Sequence, residues 1–276
     1  MKVAAIQMTS TANLDANLRQ AETLMREAAA AGATLLLLPE NFACYGGDYR
    51  SLAASQGQAL DAWMAYWARE LGVFLAAGSV PRLLRPEGTP VPEPRVRTAL
   101  LVFDPQGQRI ARYDKLHLFD MDVADAQGSY RESAVFEAGR SLETVTIAGW
   151  QVGLAICYDL RFPAQARALA QAGASLLLYP SAFTQVTGRA HWHMLVRARA
   201  VENGCYVLAA NQCGEHNSKR RSYGHSLLVD PWGEIVAELD DQPGVLVAEV
   251  SEARVSRIRQ AMPLHDHQRF TVNLDD

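Results

Sequence analysis

Two segments of the chain nearly repeat one another: residues 31–42 read AGATLLLLPENF and residues 172–183 read AGASLLLYPSAF. Each joins a helix end to an uninterrupted apolar strand and then to a proline. A strand wetted on one face alternates apolar and polar side chains, so an unbroken apolar run between helices points to a sheet covered by helices on at least one face. Two accounts of the likeness stand side by side at this level. Helix–strand junctions favour glycine and buried strands favour leucine in any protein. The alternative is a chain of two related halves, an α-β-β-α sandwich with a pseudo-twofold, in which Glu40 and Ser181 hold matching strand-end positions.

The rest of the sequence alternates in the same way. A strand at 3–8 leads into an amphipathic helix over about 13–31, with Leu14, Leu18, Ala21, Leu24, Met25 and Ala28 at helical spacing and Gly32 as its stop. A helix over roughly 58–71, the strand VFLAAGSV and a proline-rich loop at 81–94 follow. DPQG then turns a hairpin between RTALLVF and QRIARYD. A polar loop covers 120–139. TVTIAGWQVGLAIC forms another hairpin with Gly149 in its turn, and a helix opens at Pro163. The strand ASLLLYP, a helix over about 189–203, the strand YVLAANQ, a hairpin in SLLVDPWGEIVAEL, the strand GVLVAEV and a short helix at 253–261 complete the chain. With 276 residues, 49% of them hydrophobic, this is an α/β chain long enough to bury one large core. The expected organisation is one domain over 1–276, with 262–276 as a C-terminal tail.

Charge and composition remove several classes of function. The net charge is −4, and the longest basic run is Lys219-Arg220-Arg221, far short of the face that nucleic acid requires. No signal-peptide pattern and no apolar stretch of membrane-spanning length is present, so a cytoplasmic location without a membrane partner is expected. Four widely spaced cysteines do not resemble a disulfide framework and are expected to be reduced. His191 with His193, Cys213 with His216, and His265 with His267 lack metal-ligand spacing, so neither a metal nor a cofactor is expected.

Ligand crevices in α/β sheets form at the carboxyl ends of strands. Three reactive side chains fall there: Glu40, Lys115 and Cys157. Each alone has an ordinary reading, as a solvated carboxylate, a surface ammonium and a packing thiol. Together they make an acyl-transfer set. Cys157 stands at a strand-to-helix corner where a helix amino terminus favours the thiolate, Glu40 is a base for the thiol, and Lys115 with the Tyr158 N–H can hold an oxyanion. The seven histidines also leave room for a Cys–His dyad, and a non-enzymatic binding module remains open at this level.

Read together, LLLLPENF, RYDKLHLFD and AICYDLRFP resemble the three signature segments of the nitrilase superfamily, the carbon–nitrogen hydrolases. The likeness extends from VAAIQM through HSLLVDPWG to the final helix. It implies a four-layer α-β-β-α sandwich, a small-molecule amide as substrate, Glu40 as general base and later acid, Lys115 as stabiliser of the tetrahedral intermediate, and Cys157 as nucleophile. It also implies a second glutamate before the cysteine, matched by Glu132 in SYRESAVFEAG, that positions Lys115. The helix in TGRAHWHMLVRARAVENG reads as a packed helix whose apolar stripe is Trp192, Leu195, Ala198 and Val201; the resemblance places this helix near a subunit interface, so the stripe belongs either to the core or to the contact of an expected homodimer or larger oligomer. A finer likeness, carried by PSAFTQVTGRAHWHMLVRARAVENGCYVLAANQCGEHN and SYGHSLLVDPWG, is to the branch acting on the amide of deaminated glutathione. The ω-amidase branch acting on 2-oxoglutaramate, or another amidase or carbamoylase, is the alternative. Such substrates carry carboxylates, which makes Arg161 the expected anchor, with Tyr45, Ser181, Phe183 and Thr187 lining the pocket.

Overall fold

The computed structural model describes residues 1–270. In chain order its first half runs β1 (Lys2–Gln7), α1 (Leu14–Ala30), β2 (Leu35–Leu37), α2 (Tyr49–Leu71), β3 (Phe74–Arg82), β4 (Arg97–Phe103) and β5 (Arg109–Asp114). A short hairpin, β6 (Asp120–Asp122) and β7 (Ser129–Arg131), leads to β8 (Glu143–Ile147) and β9 (Trp150–Leu154). The second half continues with α3 (Pro163–Gln171), β10 (Leu176–Ser181), α4 (Gln185–Asn203) and β11 (Tyr206–Asn211). A second hairpin, β12 (Cys213–Glu215) and β13 (Arg221–Tyr223), precedes β14 (Leu227–Val229), β15 (Ile235–Glu238), β16 (Gly244–Glu249) and α5 (Glu252–Ala261).

The strands assemble into two six-stranded sheets, ordered β16-β1-β2-β3-β4-β5 and β15-β14-β11-β10-β9-β8. The two orders correspond strand for strand. Each sheet has three parallel strands at its centre, β1-β2-β3 in one and β9-β10-β11 in the other, flanked by antiparallel neighbours. The repeated segments supply the middle strand of each triplet, β2 and β10, so the duplicated-halves account describes the architecture. Helices α1 and α2 are the crossovers of the first triplet, and α3 and α4 those of the second, as parallel strands require.

Alternation along the strands builds the layers. Val3, Ala5, Leu35 and Leu37 join a core shared with Leu154, Leu176, Leu178 and Leu208 of the other sheet. Their sequence neighbours Ala4, Ile6, Leu36 and Leu38 turn outward onto Ala21, Met25, Leu60 and Met64 of α1 and α2. Each such leucine is fully buried and contributes roughly 2 kcal/mol by leaving water. The result is the expected α-β-β-α sandwich in a single domain. Among the described residues no helix is long and apolar enough to cross a membrane.

Where element boundaries depart from the sequence reading, glycine is usually responsible. Helix α2 starts at Tyr49 instead of near residue 58, because Asp48 caps it by accepting from Arg50 N at 3.1 Å and Ser51 N at 3.0 Å, and Gly57 is carried in its interior. Helix α4 starts at Gln185 instead of near residue 189, capped by Thr184, with Gly188 inside. The buried face of α4 is Trp192, Val196, Arg199, Ala200 and Asn203, which corrects the expected stripe. Steps of three lag behind a turn of 3.6 residues, so Val201 is exposed while Trp192 is fully buried. The polar stretch at 120–139, expected to be a loop, holds the β6–β7 hairpin and a one-turn 3₁₀ helix, Glu132–Ala134. Of the expected tail 262–276, residues 271–276 lie outside the described residues, and 262–270 form turns after α5.

The two interior glycines behave oppositely when substituted. A Cβ at Gly57 meets only Arg82 Nη1 at 3.8 Å, whereas a Cβ at Gly188 falls 2.3 Å from Tyr223 Cβ. Gly57→Ala should therefore raise unfolding free energy by about 0.5–1 kcal/mol through helix propensity. Gly188→Ala should lower it by about 1–3 kcal/mol through overpacking. Denaturant titration of both variants checks the pair, and shifts in the same direction would contradict it.

Candidate active site

The site forms where the carboxyl ends of the two parallel triplets meet. Glu40 follows β2 through Pro39, and Gln212 Nε2 donates to its carbonyl at 3.0 Å. This approach depends on Gly78, because a Cβ there would stand 1.9 Å from the Pro39 carbonyl oxygen. Lys115 follows β5, its own carbonyl accepting from Gly139 N at 2.7 Å. Glu132 opens the 3₁₀ turn after β7. Cys157 opens another, Cys157–Arg161, after β9, with φ at +46°. A non-glycine residue rarely adopts that conformation. Here it turns the side chain into the cavity, which Glu40, Lys115, Glu132 and Cys157 all line.

Lys115 is the centre of this group. Its Nζ donates to Glu40 Oε1 at 2.7 Å and to Glu132 Oε1 and Oε2 at 2.8 and 2.9 Å, and the side chain is 1% exposed. Burial works against its charge, but the carboxylates of Glu132 and Glu40 outweigh burial and hold the ammonium well above the usual lysine range. Burial in turn raises the Glu132 carboxyl, with Lys115 opposing. Phe119 N donates to Glu132 Oε2 at 2.5 Å and fixes its far oxygen. The Cys157 thiol is raised well above the usual cysteine range, first by burial and then by the negative charge of Glu40; Lys115 and the Ala182 N–H at 3.5 Å only partly compensate.

That balance corrects the expectation that the corner itself favours a thiolate. The segment after Cys157 is a five-residue 3₁₀ turn, and α3 begins only at Pro163, so no long helix dipole points at the sulfur. The resting group is a thiol that needs a base, and Glu40 is beside it.

Asp159, which no pattern in the sequence singles out, pins the turn. Fully buried, it accepts from Ile156 N at 2.8 Å, Tyr113 OH at 2.6 Å and His117 N at 3.0 Å. Tyr113 stands two residues before Lys115, so Asp159 ties the corner of Cys157 to the lysine's strand. The Tyr158 N–H takes no protein acceptor among the described residues.

The structure sorts the expected pocket residues. Arg161, Phe183 and Thr187 line the cavity. The guanidinium of Arg161 lies 5.1 Å from the Phe183 ring, contacts His191 Nδ1 at 3.2 Å and leaves a buried Nε unpartnered. Ser181 does not line the cavity: it is fully buried, and its hydroxyl is spent on Tyr179 O at 3.1 Å. Tyr45 also stands behind the wall, stacked on His216 at 3.9 Å, with its hydroxyl accepting from Arg220 Nη2 at 2.7 Å. Tyr49, Tyr130, Phe136 and Arg220 line the cavity instead and were not foreseen. The histidines of the α4 segment diverge: His191 turns to Arg161, while His193 Nε2 meets Glu238 Oε1 at 2.7 Å, an oxygen shared with His225 Nδ1 at 2.9 Å.

A strand-end carboxylate, ammonium and thiol at the seam of a doubled sandwich define a hydrolase of carbon–nitrogen bonds. The chain belongs to the carbon–nitrogen hydrolase family, whose profile matches residues 2–260, and it is an amidase. It is 41% identical over 271 residues to the deaminated glutathione amidase of Synechocystis sp., covering 97% of both chains. Among solved structures, the NitFhit protein of C. elegans superposes with a TM-score of 0.88 at 36% identity over 97% of this chain, which spans 65% of that longer protein. A glutamate-to-leucine mutant of an amidase from Nesterenkonia sp., at TM-score 0.77, 31% identity and 97% and 96% coverage, shows covalent addition of the acetamide moiety of fluoroacetamide at the active site cysteine.

His216, behind Tyr45, gives the site wall a pH dependence. Its Nδ1 faces the Ser10 carbonyl at 2.7 Å and so carries the proton, leaving Nε2 to accept from Ser222 Oγ at 2.8 Å. Burial lowers this imidazole to about 4. An unfolded histidine protonates near 6.5, so the unfolded state binds more protons between pH ~6.5 and ~4, and stability falls as pH drops through that window. The contribution is ~3 kcal/mol. The unfolding free energy of His216→Asn should slope less steeply over that window, by about one proton; identical slopes would contradict this.

Proposed function

We propose that this amidase cleaves the amide of deaminated glutathione or a close 2-oxo acid amide through a thioester on Cys157. The observation that carries the reading is the buried group in which one ammonium joins two carboxylates beside a protonated thiol. Glu40 takes the thiol proton as Sγ attacks the amide carbon. The oxyanion then sits between the Lys115 ammonium and the Tyr158 N–H. Preorganised donors of this kind contribute about 3 kcal/mol each. Protonated Glu40 gives its proton to the departing nitrogen, and the amine leaves. Water, deprotonated by Glu40, attacks the thioester, and the Cys157 thiol is restored with the acid product. Glu132 holds Lys115 in place throughout. Arg161, facing the cavity without a carboxylate partner, anchors the acid end of the acyl group. The relatives' activity supports this substrate class.

A panel of deaminated glutathione, 2-oxoglutaramate, aliphatic amides, N-carbamoyl amino acids and nitriles tests the assignment by amine or ammonia release. The 2-oxo acid amides should be turned over at least tenfold faster than the rest, and Cys157→Ala should lower kcat by about 10³-fold or more. Preference for a substrate without a carboxylate, or full activity in Cys157→Ala, would overturn the reading.

We also propose a homodimer built across α4. Met194 and Val201 share its outer face, and Arg197 Nε donates to Gly233 O at 2.8 Å, which brings Trp232 alongside. Met194 is 62% and Trp232 51% exposed, an apolar patch of the kind that marks association. Light scattering should give a dimer mass for the wild type and a monomer mass for Met194→Asp/Trp232→Asp. The four free cysteines fit a cytoplasmic location.

A further inference from the structure

The cavity wall contains a second arginine that the mechanism leaves unused. Arg220 comes from the turn between β12 and β13 and lines the cavity. Its guanidinium lies over two aromatic rings, 4.9 Å from the Tyr45 centroid and 4.5 Å from that of Tyr130, and Nη2 donates to Tyr45 OH. Its sequence neighbour Arg221 pairs with Glu215 at 3.6 Å, and Arg131, also at the cavity, pairs with Asp122 at 2.9 Å. Among the described residues no carboxylate lies within ion-pair distance of Arg220. The same holds for Arg161, whose partner is His191. A partly desolvated guanidinium, fixed between rings and without a counter-ion, is a seat for an anion.

The two arginines reach the cavity from different segments and rest on different rings. Arg161 belongs to the turn of Cys157 and lies beside Phe183. Arg220 leans on Tyr45, which is carried by the loop that begins at Glu40. Because Glu40 hands the proton to the departing nitrogen, the amine half extends along its side, while the acyl half stays on Cys157. We propose that Arg220 is a binding residue for the amine half of the substrate, seating a carboxylate there while Arg161 seats the carboxylate of the acyl half. This rests on the substrate reading above and deepens it: the enzyme selects amides of a 2-oxo diacid whose amine half also ends in an acid, as a short peptide does. Tyr45 and Tyr130 hold the guanidinium plane, and the fork addresses the carboxylate from its free edge.

Two substrates with the same acyl group separate the roles. Deaminated glutathione releases a dipeptide with a free carboxylate, and 2-oxoglutaramate releases ammonia. Arg220→Gln should lower the ratio of their kcat/KM values about 10- to 100-fold, through KM for the dipeptide amide, as loss of a charge-assisted pair predicts. Arg220→Lys keeps the charge without the fork and should recover part of that ratio. Arg161→Gln should depress both substrates and leave the ratio within about threefold. Equal losses on both substrates in Arg220→Gln, or an unchanged ratio in a variant that melts like wild type, would overturn the assignment. Wild-type enzyme that turns over 2-oxoglutaramate but not deaminated glutathione would overturn the Arg220 seat and leave the 2-oxo acid amide reading standing, whereas turnover of neither would refute that reading as well.

Discussion

One ammonium organises the candidate site. Lys115 is removed from water and placed between Glu40 and Glu132, and none of the three charges would be tolerable there alone. A buried ion costs several kcal/mol unless partners and hydrogen bonds compensate. Without Lys115, the two carboxylates would repel one another in a weakly screening surround, and one would protonate. With it, Glu40 is ion-paired beside a thiol that burial keeps protonated. The proposed base, oxyanion donor and nucleophile are therefore held in a single electrostatic arrangement.

The doubled sandwich is what brings these groups within reach. Glu40 and Lys115 leave the middle and the edge of one sheet, and Cys157 leaves the other. Their separation is fixed by backbone features of little tolerance: Gly78 under the Pro39 carbonyl, the left-handed φ of Cys157, and the buried carboxylate of Asp159 bridging Tyr113 and Ile156. Asp159 acts as a positioning residue, because it holds the corner without touching the cavity. Strain at Cys157 is maintained by that anchor, as expected where a side chain must be aimed.

Much of this was legible before the structure. The unbroken apolar runs named β2 and β10, and their likeness pointed to two related halves; the strand-end rule picked out Glu40, Lys115 and Cys157. These signals are local, arising from burial periodicity and chain direction. What escaped the sequence depends on distant partners. The apolar pattern starts these helices only near residues 58 and 189, yet α2 and α4 run on through Gly57 and Gly188, because a cap upstream and packing against the sheet outweigh about 1 kcal/mol of propensity. Ser181 occupies the strand-end position matching Glu40 but spends its hydroxyl on its own strand. Arg220 looked like part of a short surface basic run, and only the rings of Tyr45 and Tyr130, from remote segments, turn it inward.

The central claim is that hydrolysis passes through one acyl group carried on Cys157. Partition with hydroxylamine tests it most directly, because a thioester freed of its amine no longer remembers which amine left. Two amides sharing an acyl group but differing in amine are turned over at a fixed hydroxylamine concentration, and the ratio of hydroxamate to acid is measured. The account predicts the same ratio from both. Ratios that depend on the leaving amine would show direct attack by water on the bound amide and would contradict it.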